Sequence, residues 1–157
     1  MLIKAVFAAS ALFYLSLSAE ALEIYRNSQR YDISASLPSG ASFREEGVDR
    51  KFEIGGVSGN LRLIQDSYND CTALIDERQR NWVKYGFSEA TDRHASSNEC
   101  AITIHNPASG ETVSSFYIRI DACDCYSALH FRFQEKDRPD FVDAAPSIVA
   151  SVRRNNS

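Results

Sequence analysis

The segment Asp121-Ala122-Cys123-Asp124-Cys125 is the most unusual local pattern in a chain that also holds Cys71 and Cys100. Structural disulfides are the favoured interpretation, because an even number of cysteines in an oxidising compartment normally pairs. We expect Cys123 and Cys125 to bridge to Cys71 and Cys100. The alternation of side chains also allows a Cys71–Cys100 bond, which would leave the other two cysteines to each other.

Redox or metal chemistry at Cys123 and Cys125 is the alternative. A reactive dithiol needs a thiolate that is stabilised by a cation or a helix N-terminus, and the neighbouring Asp121 and Asp124 have the opposite effect. A soft metal bound by these thiols and a histidine would need a ligand spacing that the chain does not follow. The sequence therefore predicts no metal site and no cofactor. A periplasmic thiol–disulfide or metal-handling protein remains the second hypothesis.

One face of the predicted sheet combines aromatic, imidazole and guanidinium side chains. By alternation this face carries Tyr117, Arg119, His130, Arg132 and His105. Such a surface suits an anion or a protein partner, although an ordinary solvated sheet face would have the same pattern. These five residues are the binding-face candidates.

No residue is predicted to be catalytic. Ser58 follows Gly56-Val57 and precedes Gly59-Asn60, so it is not in the Gly-x-Ser-x-Gly turn of hydrolases. Neighbouring carboxylates such as Glu45 and Glu46 lie on polar segments, whereas acid–base catalysis needs one carboxyl group in a dry pocket. We expect a protein that acts by binding and not an enzyme.

The charge and the length of the chain further restrict the class of protein that it can be. The 157 residues carry 17 Lys and Arg against 21 Asp and Glu, a formal net charge of −4. Duplex nucleic-acid binders normally have a basic excess, so we expect no nucleic-acid partner. The length is that of one globular domain.

The first residues have the pattern of a secretory signal. Lys4 precedes an uncharged apolar run over 5–18, and Ala19-Glu20-Ala21 provides the small-x-small cleavage site. The run is shorter than the roughly 20 residues that span a bilayer. The sequence therefore predicts a signal peptide over 1–21, a single domain over 22–157 with no membrane span, and a periplasmic or secreted location.

The mature chain alternates between strand and helix patterns. A strand over 31–37 is predicted to precede a loop over 41–50, and a glycine-rich turn over 55–60 separates two further strands. The clearest helix begins after Asn69-Asp70 and ends at Gly86, with Trp82 and Tyr85 on its apolar, core-facing stripe. Three strands and a final helix follow.

The last two strands predict one antiparallel register. Pairing Asp121 with Tyr126 sets Phe116 opposite Phe131 and Tyr117 opposite His130. In the final helix, proline is expected in the first turn at Pro139, and Pro146 is expected to kink or restart the helix.

These elements predict an α+β fold, with an antiparallel sheet of about five to six strands covered by two helices. The order resembles that of the Mog1/PsbP-like proteins, on three features: a first strand ending at Pro38, a helix bearing Trp82, and a last helix of the form Phe141…Ile148-Val149…Ser151-Val152-Arg153. The resemblance implies an α/β sandwich and a binding, assembly or accessory role. The four cysteines have no counterpart in it, and no functional residue is carried over.

The sequence thus predicts a small exported, disulfide-stabilised binding protein. An envelope accessory factor and an immunity or inhibitor protein both fit this description. The partner is expected to be a protein, which the sequence does not identify.

Overall fold

The computed structural model describes residues 20–26, 29–46, 49–64, 68–121 and 123–155. The predicted signal peptide falls almost entirely outside these residues. Within them, nine strands and two helices follow one another in this order: β1 (Glu20–Arg26), β2 (Gln29–Ala35), β3 (Ser42–Glu46), β4 (Asp49–Ile54), β5 (Val57–Ile64), α1 (Cys71–Lys84), β6 (Asp92–Ala95), β7 (Glu99–His105), β8 (Glu111–Ile120), β9 (Cys125–Gln134) and α2 (Arg138–Asn155).

Strands β3 to β9 form one antiparallel sheet in the order β3-β4-β5-β9-β8-β7-β6, while β1 and β2 form a separate two-stranded sheet. The predicted α+β class with an antiparallel sheet and two helices is confirmed, but the main sheet has seven strands. The segment 41–50, predicted as a loop, holds β3 and the start of β4. Both β3 and β6 are edge strands with mostly exposed side chains. They carry no apolar alternation from which a strand is recognised.

Each face of the seven-stranded sheet packs against one helix. On the face that we call the α1 face, a buried cluster joins α1 to β7 and β8 through Leu74, Ile75, Ile102, Val113 and Tyr117. On the opposite α2 face, a second cluster joins α2 to β9 through Leu129, Phe131, Phe133, Ile148 and Val152. The sheet therefore separates two hydrophobic cores.

Helix α1 begins and ends as the sequence predicts. The Asp70 carboxylate accepts a hydrogen bond from Ala73 N at 2.8 Å, which satisfies one free N–H of the first turn. Gly86 follows the helix with a φ of +86°. The expectation that Tyr85 lies in the core is wrong: its side chain is 75% exposed, because the helix has already ended at Lys84.

The C-terminal helix α2 contains Pro139 in its first turn, as expected, and continues through Pro146 without restarting. Ser151 is buried on α2, and its hydroxyl accepts a hydrogen bond from Ser36 N at 2.8 Å. This contact ties the end of β2 to the helix.

The β8–β9 hairpin has a register two residues away from the predicted one. Phe116 pairs with Leu129, whereas the sequence placed Phe131 opposite it. A shift by two keeps every side chain on its own face, so alternation cannot detect it. The turn decides the register, because Cys123 N donates a hydrogen bond to Ile120 O at 3.2 Å.

All four cysteines are paired in two disulfides. Cys71 at the start of α1 bonds to Cys100 on β7, with the Cα atoms 5.7 Å apart, and Cys123 bonds to Cys125, with the Cα atoms 5.2 Å apart. The first pair lies in the α1-face core and the second in the α2-face core. Since the sheet separates them, the expected bridges from Cys123 and Cys125 to Cys71 and Cys100 do not form, and the other allowed connectivity does.

Candidate binding groove

A groove remains beside α1 because this helix covers only part of the α1 face. Strands β4, β5, β8 and β9 contribute to its floor, and the C-terminal half of α1 forms one wall. The groove has a volume of about 910 Å³, within the range of about 300–1,000 Å³ typical of ligand sites. We call it the α1 groove.

Strand alternation directs polar side chains into the α1 groove. Asn60 and Arg62 on β5, and His130 and Arg132 on β9, face it because the residue between each pair is buried in the α2-face core. On the wall, helical spacing brings Arg78 and Trp82 of α1 to the groove, and Tyr85 lines it just after the helix ends.

Cationic side chains outnumber carboxylates in the α1 groove. Among the described residues, five cations and two carboxylates line it: Arg44, Lys51, Arg62, Arg78 and Arg132, with Asp49 and Glu111. Arg62 Nε lies 3.5 Å from Asp49 Oδ1, and Arg132 Nη1 lies 3.8 Å from Glu111 Oε1. Ion pairs of this kind contribute little when solvent reaches them. The groove is therefore locally positive in a chain whose net charge is −4.

Arg78 lies at the inner wall of the α1 groove, where no described residue pairs with it. Among the described residues it forms no hydrogen bond or ion pair, and its Nε is buried without an acceptor. A buried donor left unpaired costs roughly 1–3 kcal/mol. An acceptor oxygen that entered the groove would remove this penalty.

His130 occupies the floor between the arginines. Its Nδ1 lies 2.8 Å from Ser115 Oγ, and burial lowers the pKa of its imidazole to about 3, with Arg62, Arg78 and Arg132 acting in the same direction. At neutral pH the ring is therefore uncharged. It supplies a hydrogen-bonding group to the groove and adds no positive charge.

Tyr117 lies at the base of the α1 groove and is fully buried. Burial raises the pKa of its phenol to about 12, although the nearby Ser115 and Arg78 act in the opposite direction. Its hydroxyl forms no hydrogen bond of regular geometry with a described residue. Its ring packs edge-on against His130, with the ring centres 5.7 Å apart.

Trp82 connects the groove to the α1-face core. Its ring packs edge-on against Phe87, with the ring centres 4.8 Å apart, and the Arg132 guanidinium lies 5.3 Å above its centre. Such a cation–π contact holds the guanidinium in the groove. Trp82 therefore packs against the core, as the sequence predicted, and it also lines the groove.

Four of the five binding-face candidates lie on the α1 face, and three of them meet in the groove. Tyr117, His130 and Arg132 line it. Arg119 lies further along β8, where it pairs with Asp121 Oδ1 at 3.2 Å and with Asp124 Oδ1 at 2.8 Å.

His105 is on the opposite face, so its predicted placement with the other four is wrong. Its Nδ1 lies 3.2 Å from Thr112 Oγ1, in a second cleft bounded by α2. The error comes from assuming a single core. Ile104 on β7 packs towards α1 whereas Leu129 on β9 packs towards α2, so apolar residues of different strands mark different faces.

Sequence reasoning missed Arg62 and Arg78 as groove residues. Arg62 continues a period-two polar pattern that begins with Ser58 and Asn60. Because Ser58 and Asn60 were assigned to the predicted turn over 55–60, this pattern was not recognised as part of a strand. The turn occupies only residues 55–56, and β5 begins at Val57. Arg78 lies four residues before Trp82, on the side of the helix that the sequence assigned to the core.

Two further properties concern the described residues. No cluster of three or more His, Cys, Asp or Glu side chains that could hold a metal ion occurs there. In the same part of the chain, no helix is both long and apolar enough to cross a membrane.

Comparisons with known proteins bear on the fold. No protein-family model matches the chain, and no curated protein sequence matches it. The structure is similar to that of the Ran-binding protein Mog1p from Saccharomyces cerevisiae, with a TM-score of 0.56 and 12% identity over 89% of this chain and 95% of that one. A point mutant of the protein Mog1 gives a TM-score of 0.55 at 12% identity, over 88% and 95% of the two chains. The chain therefore has a Mog1-like fold.

Proposed function

We propose that this protein is a small exported, disulfide-stabilised binding protein that engages a protein partner through the α1 groove. An envelope accessory factor and an immunity or inhibitor protein are the two roles that fit. The observation that carries the proposal is the α1 groove itself, a locally cationic cleft of about 910 Å³ in an acidic chain. Mog1p, which has the same fold, is described as a Ran-binding protein, and this supports a protein as partner.

Export is supported by two independent features. The first residues carry the pattern of a cleaved signal ending at Ala21. All four cysteines form disulfides, which persist in oxidising compartments. N-terminal sequencing of the protein from periplasm or culture medium should start at Leu22. A product that retains Met1 in the cytoplasm would refute export.

Affinity capture with groove variants tests the partner. The tagged protein is compared with a groove double variant, Arg78→Gln with Arg132→Gln, and with a control double variant, Arg138→Gln with Arg153→Gln. The control changes the same charge on the α2 side, where these arginines pair with Glu135 and Glu99.

A partner captured by the wild type and the control, but not by the groove variant, supports the proposal. Capture that is equal with all three proteins would rule out the α1 groove as the interface.

Thiol–disulfide exchange at Cys123 and Cys125 is the second candidate function. Their bond across a single intervening residue favours it. Cys123 is only 8% exposed and Cys125 is fully buried, which hinders attack by an external thiolate. Alkylation of the exported protein followed by intact-mass measurement should detect no free thiol. Two modified thiols at this pair would favour the redox function.

A further inference from the structure

We propose that the inner part of the α1 groove binds side-chain carboxylates of an acidic segment of the partner, held by Arg62, Arg78 and Arg132. The inference rests on the proposed function and names the chemistry that its partner must carry. Guanidinium groups suit this task because their planar donors match the two oxygens of a carboxylate.

The first argument is the donor capacity that the fold leaves unused. Among the described residues, Arg78 Nε is buried without an acceptor, and the Tyr117 hydroxyl at the base of the groove forms no hydrogen bond of regular geometry. Among the described residues, Arg62 forms an ion pair with Asp49 at 3.5 Å and Arg132 forms one with Glu111 at 3.8 Å. A carboxylate entering here would find several N–H and O–H donors that are free or weakly engaged.

The second argument is the electrostatic field inside the groove. The three guanidinium groups act together on His130 and favour its neutral form. Burial is the larger cause of the neutral form, but the part of the field that these cations supply also stabilises a negative charge. Because His130 stays neutral, the carboxylate would meet it as a hydrogen-bonding group.

The third argument is the shape and apolar rim, which favour a peptide over a free inorganic anion. The volume of about 910 Å³ is far larger than a phosphate ion needs. Tyr85, 75% exposed, and the partly buried Trp82 lie along the wall beside the arginines. Aromatic side chains at this position offer contact area to the chain that carries the acidic groups.

Trp82 is the only tryptophan of the chain, so its fluorescence reports on the α1 groove. The full exported protein is titrated with a capped hexaglutamate peptide, with capped hexaglutamine and with inorganic phosphate. Binding is measured in parallel by calorimetry. We expect hexaglutamate to bind and to change the emission. Hexaglutamine and phosphate should bind at least tenfold more weakly.

Three variants locate the site. Arg78→Gln should weaken hexaglutamate binding about tenfold, since a hydrogen bond to a charged group is worth that much, and Arg78→Lys should retain part of it. Arg138→Gln removes an equal charge outside the groove and should change the affinity less than twofold. Circular dichroism confirms that each variant is folded.

Equal binding of phosphate would show that the groove is a free-oxyanion site, and this would overturn the proposal. Absence of hexaglutamate binding, or binding that Arg78→Gln leaves unchanged, would overturn it as well. These results leave the proposed function standing if affinity capture still depends on the groove. Loss of groove-dependent capture with intact hexaglutamate binding would instead refute the proposed function alone.

Discussion

Removing the two disulfides one at a time should cost very different amounts of stability. The double variant Cys71→Ala with Cys100→Ala opens a bond between residues 29 positions apart, while Cys123→Ala with Cys125→Ala opens one between residues 2 positions apart. In the chain-entropy model, the first loop constrains the unfolded chain by about 3.6 kcal/mol and the second by only about 1–2 kcal/mol.

The two double variants remove similar amounts of buried side chain. Each variant removes two sulfur atoms that belong to residues at least nine-tenths buried, so the loss of packing is similar and largely cancels in the difference. We therefore expect the first variant to be less stable than the second by about 2 kcal/mol.

Equilibrium unfolding in urea, followed by far-UV circular dichroism, measures both variants under identical conditions. Chemical reduction of both disulfides in the wild type should lower its free energy of unfolding by nearly the sum of the two effects. If loss of the Cys123–Cys125 bond destabilised the protein as much as loss of the Cys71–Cys100 bond, the loop-closure reasoning would be refuted. That result would show that the short disulfide constrains the native hairpin and not the unfolded chain.

Three further changes test individual contacts. The native pKa of His130, about 3, lies below its unfolded value, so stability should fall as pH drops from about 6.5 towards 3, by at most about 1.4 kcal/mol per unit. His130→Gln should reduce the difference in stability that urea unfolding measures between pH 7.5 and pH 4.5. An NMR titration midpoint near 6.5 for His130 would contradict this prediction. Gly59→Ala places a methyl group against the Phe52 ring and should lower the free energy of unfolding by about 1–3 kcal/mol; an unchanged thermal midpoint would count against this contact. Asp70→Ala removes the cap on Ala73 N and should cost about 1 kcal/mol in the same assay, whereas Asp70→Asn should retain most of the stability.

Elements that carry their own local signal could be predicted from the sequence. Asp70 and Gly86 defined α1 because capping and a positive φ are properties of individual residues. The strands now called β7, β8 and β9 were found from alternation, since each packs a regular row of apolar side chains. The edge strands β3 and β6 had no such row, because solvent covers most of their side chains.

The candidate site was predicted only in part, because the sheet has a separate hydrophobic core on each of its two faces. Tyr117, His130 and Arg132 were selected because they alternate with apolar residues on their own strands. Relating one strand to the next requires knowing which core each apolar row faces, and without that knowledge His105 was misplaced. Arg78 could not be found from the sequence, because its role depends on where α1 crosses the sheet.

Because α1 covers only part of its face of the sheet, the residues of β5 and β9 have different roles on the two faces. Strands β5 and β9 are anchored by Leu61, Leu129 and Phe131 on the α2 face, while their other face opens into the groove. Residues such as Arg62 and Arg132 can therefore be exchanged without disturbing the packing that holds these strands. A scaffold of this kind can acquire a new recognition specificity while its folding determinants stay constant, which makes the groove a practical surface for redesign.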